Sequence, residues 1–206
     1  MNKLEDFFEK LSKDFSSISV ERKLVLHPII EYITKYSIKG QPSHLNFICT
    51  HNSRRSQLSQ AWAQAAAHHY SIPAMCYSGG VEVTAFHPNA FHALEEDGFE
   101  IETHLGTNPE VHLTYGETSP LVMFSKLFDH PMNQTDRFAA IMTCSHADEN
   151  CPFIPGTEAR FALNYKDPKA FDETPEARNE YLKTSRKIAL EMTYVFLNVR
   201  KQLNKK

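Results

Sequence analysis

The feature that most constrains the fold is a short apolar run that ends in a cysteine and leads through a polar loop into an Ala-rich segment. The run covers Leu45–Cys49, and the Ala-rich segment, Ser56–His69, consists of good helix formers. A strand followed at once by a helix is the first half of a βαβ unit, whose second strand lies parallel to the first. The chain is therefore predicted to contain a parallel sheet covered by helices.

The rest of the chain continues this alternation. Strands are predicted at Ala74–Ser78, Leu121–Phe128 and Phe138–Thr143, and helices at Asn89–Asp97 and Pro175–Leu203. Gly98 stands just after the first of these helices, where glycine commonly ends a helix. The segment 152–175, rich in Pro, Asp and Lys, is interpreted as a long surface loop. We expect an α/β three-layer sandwich with a central parallel sheet.

Two amphipathic segments precede this alternation. Apolar residues recur at helical spacing in both, at Leu4, Phe7, Phe8, Leu11 and Phe15 and then at Leu24, Leu26, Ile29, Ile30 and Ile33. Ser19 is suited to cap the second helix, and Gly40 and Pro42 end the segment. We therefore predict an N-terminal helical arm at 1–42 and a main domain at 43–206.

Composition and charge exclude several classes of function. The 206 residues include 22 Lys and Arg against 25 Asp and Glu, and no long block of either sign occurs. Because a general nucleic-acid-binding protein needs a basic face, we expect no nucleic-acid partner. No apolar stretch reaches the roughly 20 residues that span a bilayer, and the amino terminus is unlike a signal peptide. We expect no membrane contact and a cytoplasmic location.

The loop after the first strand has the composition of an oxyanion-binding site. Its residues, Cys49–Ser56, spell CTHNSRRS. Backbone N–H groups of a curled loop and a helix N-terminus form a nest for an anion, and the same field favours a cysteine thiolate. Arg55 can grip two anion oxygens bidentately, and Ser56 can donate a hydrogen bond to the Cys49 sulfur. We predict that Cys49 is a nucleophile toward a tetrahedral dianion such as phosphate or arsenate. The predicted oxyanion-binding residues are Thr50, His51, Asn52, Ser53, Arg54 and Arg55.

Two further cysteines, Cys144 and Cys151, are separated by six residues. Zinc sites favour closer pairs, and His146 would have to complete a three-ligand set, so we predict no metal site. Two inert cysteines or a redox pair are the remaining readings. The redox pair fits better, because a flexible loop of this length lets Cys144 reach Cys49 in one state and Cys151 in another. Cys76, in a predicted strand, is expected to be an inert core residue.

A carboxyl group near the loop is expected to protonate the leaving oxygen. Asp167-Pro168 lies in the segment interpreted as a loop, and no other Asp-Pro pair occurs in the chain. An ordinary Asp-Pro turn is the structural alternative. Asp172 and Asp148 are weaker candidates. We predict that Asp167 is the acid.

These motifs resemble the low-molecular-weight protein tyrosine phosphatases and the thioredoxin-coupled arsenate reductases that share their fold. The likeness is carried by Ile48–Ser56, Tyr77–Gly80, Pro88–Ala90, Gly98–Ile101, Met142–Pro152 and Asp167-Pro168. It leaves out the arm and some chain around 105–135. His51 departs from the pattern, since the family usually carries Gly there. The resemblance implies the family's three-layer α/β fold and supports Asp167 as the acid.

The segment Thr143–Pro152 resembles the redox loop of the arsenate reductases, which plain phosphatases of this fold do not typically carry. The resemblance implies that Cys49 attacks arsenate and that Cys144 then attacks the Cys49 sulfur, which releases arsenite. Cys151 would convert the Cys49–Cys144 disulfide to a Cys144–Cys151 disulfide, which thioredoxin would reduce. We therefore expect an arsenate reductase with thioredoxin as reductant, arsenate or a phosphate ester as substrate and no cofactor.

Some of these reductases carry a potassium ion near the loop. Asn52 and Ser78 match two positions of that site, but Gln60 stands where a Glu is expected. The lost negative charge disfavours a cation here, and no metal is predicted.

Two other functions stay open. In a phosphotyrosine phosphatase, Cys144 and Cys151 would protect or regulate Cys49 by reversible disulfide formation. In a binding module, the loop would sense an oxyanion and the arm would contact a partner. A sensor needs neither a nucleophile nor an acid, so the set of Cys49, Arg55 and Asp167 disfavours the binding module.

Overall fold

The computed structural model describes residues 3–150 and 153–205. In these ranges the central sheet has four parallel strands, β1 Ser43–Cys49, β2 Ala74–Gly80, β6 Phe138–Met142 and β7 Thr157–Ala162. Their order is β2-β1-β6-β7, and each neighbouring pair is parallel. The inner strands are buried almost throughout because both faces of the sheet are covered. The predicted α/β fold with a central parallel sheet is confirmed.

The helices of the described chain are α1 Lys3–Ser12, α2 Val20–Ile38, α3 Arg55–His69, α4 Pro88–Asp97, α5 Ser145–Asn150 and α6 Ala177–Leu203. Local signals in the sequence set some of their ends. Ser19 caps α2 by accepting a hydrogen bond from the Arg22 backbone N–H at 3.2 Å. Gly98 ends α4 at φ 118°, a conformation that glycine adopts without strain. No helix of the described ranges is long and apolar enough to cross a membrane.

The two faces of the central sheet bury different clusters because side chains alternate along each strand. On one face, Leu45, Phe47, Ala139 and Ile141 belong to the large core beneath the helices. The other face carries a smaller cluster of Ile48, Cys49, Phe138, Ala140, Met142, Cys144, Ala147 and Ile154. Cys49, at the end of β1, and Cys144, which follows β6, therefore belong to the same buried cluster.

The N-terminal arm packs directly on the main domain. Helix α2 contacts β1, β7 and α6, and its Leu26 side chain is fully buried in the large core. On α1, Phe7 and Phe8 lie against Trp62 of α3, with ring centroids 5.4 and 6.0 Å apart. The two parts share one apolar core in space. The boundary at residue 42 stays a prediction about the chain.

The interpretation of 152–175 as a loop is wrong for its middle part, which forms β7 and pairs with β6. No residue of β7 is fully buried, and Glu158 and Arg160 interrupt its apolar pattern. An edge strand needs apolar contact on fewer sides, so its sequence signal is weak. A short 3₁₀ turn, Pro168–Phe171, follows it.

The region before β6 also differs from the prediction. The expected strand Leu121–Phe128 is only three residues long, as β5 Leu121–Met123. It joins β3 Glu100–Thr103 and β4 Val111–Thr114 in a separate antiparallel sheet. The residues after β5 instead cross beneath the cysteine loop, where they make contacts described below.

Leu26 and Leu24 give a matched test of how tightly the arm is attached. Leu26 is fully buried, whereas Leu24 on the same helix is 68% exposed. Leu26→Ala should lower the free energy of unfolding by about 2–5 kcal/mol, because it leaves a cavity in the shared core. Leu24→Ala should change it by less than about 0.5 kcal/mol. Urea unfolding followed by circular dichroism measures both, and a loss below about 1 kcal/mol for Leu26→Ala would contradict a shared core.

Candidate active site

The cysteine loop joins the carboxyl end of β1 to the amino end of α3. Cys49 is the last residue of β1, is 4% exposed, and has its sulfur 3.1 Å from the Ser56 hydroxyl oxygen. That oxygen already accepts a hydrogen bond from the Asn52 side-chain N–H at 2.9 Å. The Ser56 proton is free to point at the sulfur, and in that orientation it would stabilise a thiolate. The predicted contact between Ser56 and Cys49 is present.

Asn52 holds the loop in its curled shape. It is fully buried and has φ 46°, a left-handed conformation that Asn tolerates better than most residues. Its side-chain oxygen accepts from the Lys126 backbone N–H at 3.0 Å, and its carbonyl accepts from the Gln57 amide at 3.0 Å. These bonds fix the peptide groups that would face an anion.

Two glycines at the end of β2 let the loop lie close to the sheet. A β-carbon on Gly80 would come within 2.8 Å of both the Asn52 nitrogen and the Thr50 carbonyl oxygen. On Gly79 it would meet the Phe128 backbone at 2.2 Å. The Thr50 carbonyl also accepts hydrogen bonds from the backbone N–H groups that follow Gly80, at 2.9 Å each. A larger side chain at Gly80 would displace the loop, and one at Gly79 would displace the backbone at Phe128.

His51 lies at the rim of the loop. Its ring nitrogen is 3.1 Å from a Glu82 carboxylate oxygen, and its side chain is 38% exposed. Its carbonyl accepts from the Ser125 hydroxyl at 2.8 Å and from the Thr84 hydroxyl at 3.3 Å. At the position where the resemblance predicts glycine, this chain therefore has a side chain that turns outward to a carboxylate.

Arg54 is directed to one side of the loop. Its guanidinium donates to the Tyr181 hydroxyl and to Asp172, both at 2.5 Å, and Tyr181 donates to the other Asp172 oxygen at 2.5 Å. Burial and the hydrogen bond to Asp172 raise the pKa of Tyr181. The His87 ring stacks on Tyr181 with centroids 5.2 Å apart, and burial lowers the pKa of His87. Asp172 is thus engaged with Arg54 and Tyr181, an arrangement suited to a structural carboxylate.

Arg55 and Asp167, two of the predicted catalytic residues, lie in contact. The Arg55 guanidinium donates to an Asp167 carboxylate oxygen at 2.5 Å and to the Tyr165 carbonyl at 3.0 Å. The other Asp167 oxygen accepts from the Lys169 backbone N–H at 3.1 Å and so caps the 3₁₀ turn. The Asp-Pro pair therefore does form a local turn, and the turn places the carboxyl group beside the loop arginine.

Cys144 emerges beside Cys49 at the same edge of the sheet. The parallel pairing of β1 and β6 continues one residue further, because the Thr143 N–H donates to the Ile48 carbonyl at 2.7 Å. The next residue of each strand is a cysteine. Cys144 is 1% exposed, and Cys151 lies outside the described residues.

Two polar groups contact the Cys144 sulfur, and one of them also contacts His146. The Ala147 backbone N–H donates to that sulfur at 3.4 Å. The Thr50 hydroxyl lies 3.5 Å from it and 3.3 Å from a ring nitrogen of His146. Thr50 of the loop therefore bridges to both Cys144 and His146.

The remaining candidates have structural partners. Arg160 donates to the Asp148 carboxylate at 2.8 Å, so Asp148 has a structural partner of its own. Cys76 is 3% exposed, and burial raises the pKa of its thiol, as expected of an inert core residue. The Ser78 hydroxyl donates to Gln60 at 2.6 Å, so these two residues satisfy each other. Within 3–150 and 153–205, no group of three or more His, Cys, Asp or Glu side chains is arranged to hold a metal ion.

Comparison with known proteins decides the family. Residues 44–113 match the low molecular weight phosphotyrosine protein phosphatase family. An arsenate reductase 2 of Staphylococcus haemolyticus is 31% identical over 137 residues, which cover 65% of this chain and 86% of the relative. An arsenate reductase of Staphylococcus aureus is 30% identical over 148 residues, which cover 70% and 91%. The chain belongs to the low molecular weight phosphotyrosine protein phosphatase family.

Solved structures show the fold of this family. A low molecular weight phosphotyrosine phosphatase of Vibrio cholerae aligns with a TM-score of 0.52 and 13% identity over 76% of this chain and 95% of its own. An arginine phosphatase of Geobacillus stearothermophilus aligns with a TM-score of 0.53 and 16% identity over 80% and 97%. At such identities the likeness concerns the fold alone. The protein is thus a phosphatase-family enzyme with relatives named arsenate reductase.

Sequence reasoning missed the segment of this enzyme that supports the loop from below. Ser125 and Lys126 bind the loop at His51 and Asn52, and the Lys126 carbonyl accepts from the Gly80 N–H at 2.8 Å. Both lie in the part of the chain around 105–135 that carries no family motif. Because these contacts use mainly backbone atoms, the pattern of side chains in the sequence does not predict them.

Lys126 is also an unusual buried charge. It is 3% exposed, and its ammonium lies 5.0 Å from the Phe124 ring centroid without a hydrogen-bond partner in the described part of the chain. Burial lowers its pKa from the usual value of 10.5 to about 8. The protonated Lys126 amine therefore lowers the free energy of unfolding, because its charge is buried in the folded protein.

Replacing Lys126 by Met should stabilise the enzyme at neutral pH by roughly 1–3 kcal/mol. The folded-state pKa lies below the unfolded one, so the unfolded state binds the proton more tightly and the penalty is complete below pH 8. It disappears as pH rises from 8 to about 10.5, and the advantage of Lys126→Met should shrink over that range. Urea unfolding of both proteins at pH 7, 8.5 and 10 measures this difference. A variant that is less stable at pH 7, or a difference that does not change with pH, would contradict the expectation.

Proposed function

We propose that this enzyme reduces arsenate to arsenite through Cys49 and a disulfide relay to Cys144 and Cys151. The observation that carries the proposal is the position of Cys144, which follows the strand next to β1 and lies within contact distance of the loop residue Thr50. Hydrolysis of a phosphate ester needs one thiolate, whereas a reduction needs a second thiol close to the first. The relatives named arsenate reductase support the same reading.

The first step is attack of the Cys49 thiolate on arsenic. The hydrogen bond from Ser56 stabilises the thiolate, and the loop N–H groups and Arg55 bind the oxygens of the dianion. The Arg55 Nε is buried and has no partner in the ranges described, so it remains available as a donor. Asp167, next to Arg55, gives a proton to the oxygen that leaves as water. The product is a Cys49–arsenate adduct.

The second step releases arsenite. The Cys144 thiolate attacks the Cys49 sulfur, and the sulfur–arsenic electron pair passes to arsenic, which is reduced from the +5 to the +3 state. The Ala147 N–H and the Thr50 hydroxyl support the thiolate at Cys144. His146, which contacts the same hydroxyl, would accept the proton of the Cys144 thiol through it.

The third step regenerates Cys49. Cys151 attacks the Cys144 sulfur, which frees Cys49 and leaves a Cys144–Cys151 disulfide. A thioredoxin-type dithiol then reduces that disulfide by the same exchange chemistry. Such a cycle requires a reducing compartment, and on that ground we place the enzyme in the cytoplasm.

Hydrolysis of a phosphate ester is the second candidate. The acid role proposed for Asp167 would serve this reaction too, because an ester oxygen leaves more readily when an acid protonates it. In this case Cys144 and Cys151 would protect Cys49 from oxidation.

One pair of assays separates the two candidates. The reduced enzyme is given arsenate with thioredoxin, thioredoxin reductase and NADPH, and in parallel an aryl phosphate without reductant. A reductase consumes NADPH in proportion to arsenate. Steady hydrolysis of the aryl phosphate with no arsenate-dependent NADPH consumption would instead establish the phosphatase.

Serine variants of the cysteines test the relay. Cys144→Ser should abolish multiple turnover of arsenate, because no thiol remains to release arsenite from the Cys49 adduct. Cys151→Ser should give one turnover and trap a Cys49–Cys144 disulfide, detectable by non-reducing peptide mapping. Cys76→Ala, which removes a buried thiol outside the relay, is the control and should turn over as the unaltered enzyme does. Thioredoxin-coupled turnover by Cys144→Ser at the unaltered rate would refute the relay.

A further inference from the structure

Arg22 connects the N-terminal arm to the interior of the catalytic domain. It lies in the first turn of α2, outside the residues that match the family. Its guanidinium donates two hydrogen bonds of 2.8 Å to the two carboxylate oxygens of Glu191 on α6. The Glu191 side chain is 3% exposed, so Arg22 is held in one orientation by a buried bidentate ion pair.

The same guanidinium covers the ring of Tyr165. The Arg22 Cζ lies 4.9 Å from the ring centroid, and Tyr165 is 5% exposed. On the main-chain side, the Tyr165 N–H donates to the Thr143 carbonyl at 3.1 Å. Tyr165 is therefore held at two points: its ring contacts Arg22 of the arm, and its backbone N–H binds the residue that follows β6.

The carbonyl of Tyr165 is one of two groups that orient Arg55. It accepts from Nη1 at 3.0 Å, and Asp167, two residues further along the chain, accepts from Nη2. A shift of Tyr165 would move both acceptors together. Catalytic groups tolerate little displacement, since a misplacement of about 1 Å can cost roughly 100-fold in rate.

We propose that Arg22 is a positioning residue for the oxyanion site. By covering the Tyr165 ring while it is paired with Glu191 of α6, Arg22 fixes the carbonyl that orients Arg55 and the turn that carries Asp167. The arm thus contributes to anion binding although it carries no group that touches the anion. The inference rests on the proposed function in one respect, that Arg55 binds the oxyanion.

Arg186 provides a matched control. It donates to both carboxylate oxygens of Asp97, at 2.7 and 3.0 Å, and Asp97 is 4% exposed. This pair also joins α6 to another helix, α4, but makes no contact with Tyr165 or Arg55. Arg22→Ala and Arg186→Ala both leave a buried carboxylate without its arginine, and both should lower the melting temperature.

The test is the affinity of the reduced enzyme for inorganic phosphate, measured by titration calorimetry at a temperature where circular dichroism shows each variant fully folded. Arg22→Ala should raise the dissociation constant about tenfold or more, because the Arg55 fork is no longer aimed. Arg186→Ala should leave it within about twofold of the unaltered enzyme, since distant sites act independently. Arg22→Lys keeps the charge but loses the bidentate fork, and should fall between these values.

Tyr165→Leu shows whether Arg22 acts through the ring. It keeps the carbonyl and should itself weaken phosphate binding, and adding Arg22→Ala to it should weaken binding little further. If Arg22→Ala does not fold, Arg22→Lys and Tyr165→Leu carry the same test. Phosphate binding by Arg22→Lys equal to that of the unaltered enzyme, or an equal loss in Arg186→Ala, would overturn the inference. If the unaltered enzyme itself binds no phosphate, the oxyanion site fails instead.

Discussion

The hydrogen bond from Ser56 to the Cys49 sulfur is the interaction on which the rest of the site depends. When Cys49 is a thiolate it can only accept, so the Ser56 hydroxyl donates to the sulfur while its oxygen accepts from Asn52. Asn52 makes this contact in a left-handed conformation, and its side-chain oxygen accepts from the Lys126 backbone N–H. The Cys49 sulfur is therefore supported by a chain of contacts that begins at Lys126, far along the sequence.

The fold could be predicted from sequence because the inner strands and their helices carry strong apolar patterns. The loop from Cys49 to Ser56 could be predicted as well, since its chemistry requires particular residue types at fixed spacing. The contacts of Ser125 and Lys126 could not, because they are made largely with backbone groups and leave no pattern. Strand β7 was missed for another reason: it lies at the edge of the sheet, and its side chains are only partly buried. The sequence predicts that Arg54 binds the oxyanion, but its guanidinium donates to Asp172 and Tyr181. The charge of an arginine does not by itself predict which partner its guanidinium binds.

The N-terminal arm is separate from the family domain along the sequence but packs into the same core in the folded protein. Residues 1–42 lie outside the family match, yet Leu26 is part of the same core as the sheet. Arg22 extends the connection from packing to the site, through Tyr165 to Arg55. An appended segment that shares a core with an enzyme is in a position to influence its chemistry.

The central claim is that a two-electron reduction takes place at this thiolate loop and ends in a disulfide. It is tested most directly by treating the fully reduced enzyme with one equivalent of arsenate, without any other reductant, and mapping its cysteines while arsenite is quantified. We expect one arsenite per enzyme, a Cys144–Cys151 disulfide, and free thiols at Cys49 and Cys76. Recovery of unchanged arsenate together with four free thiols would contradict it.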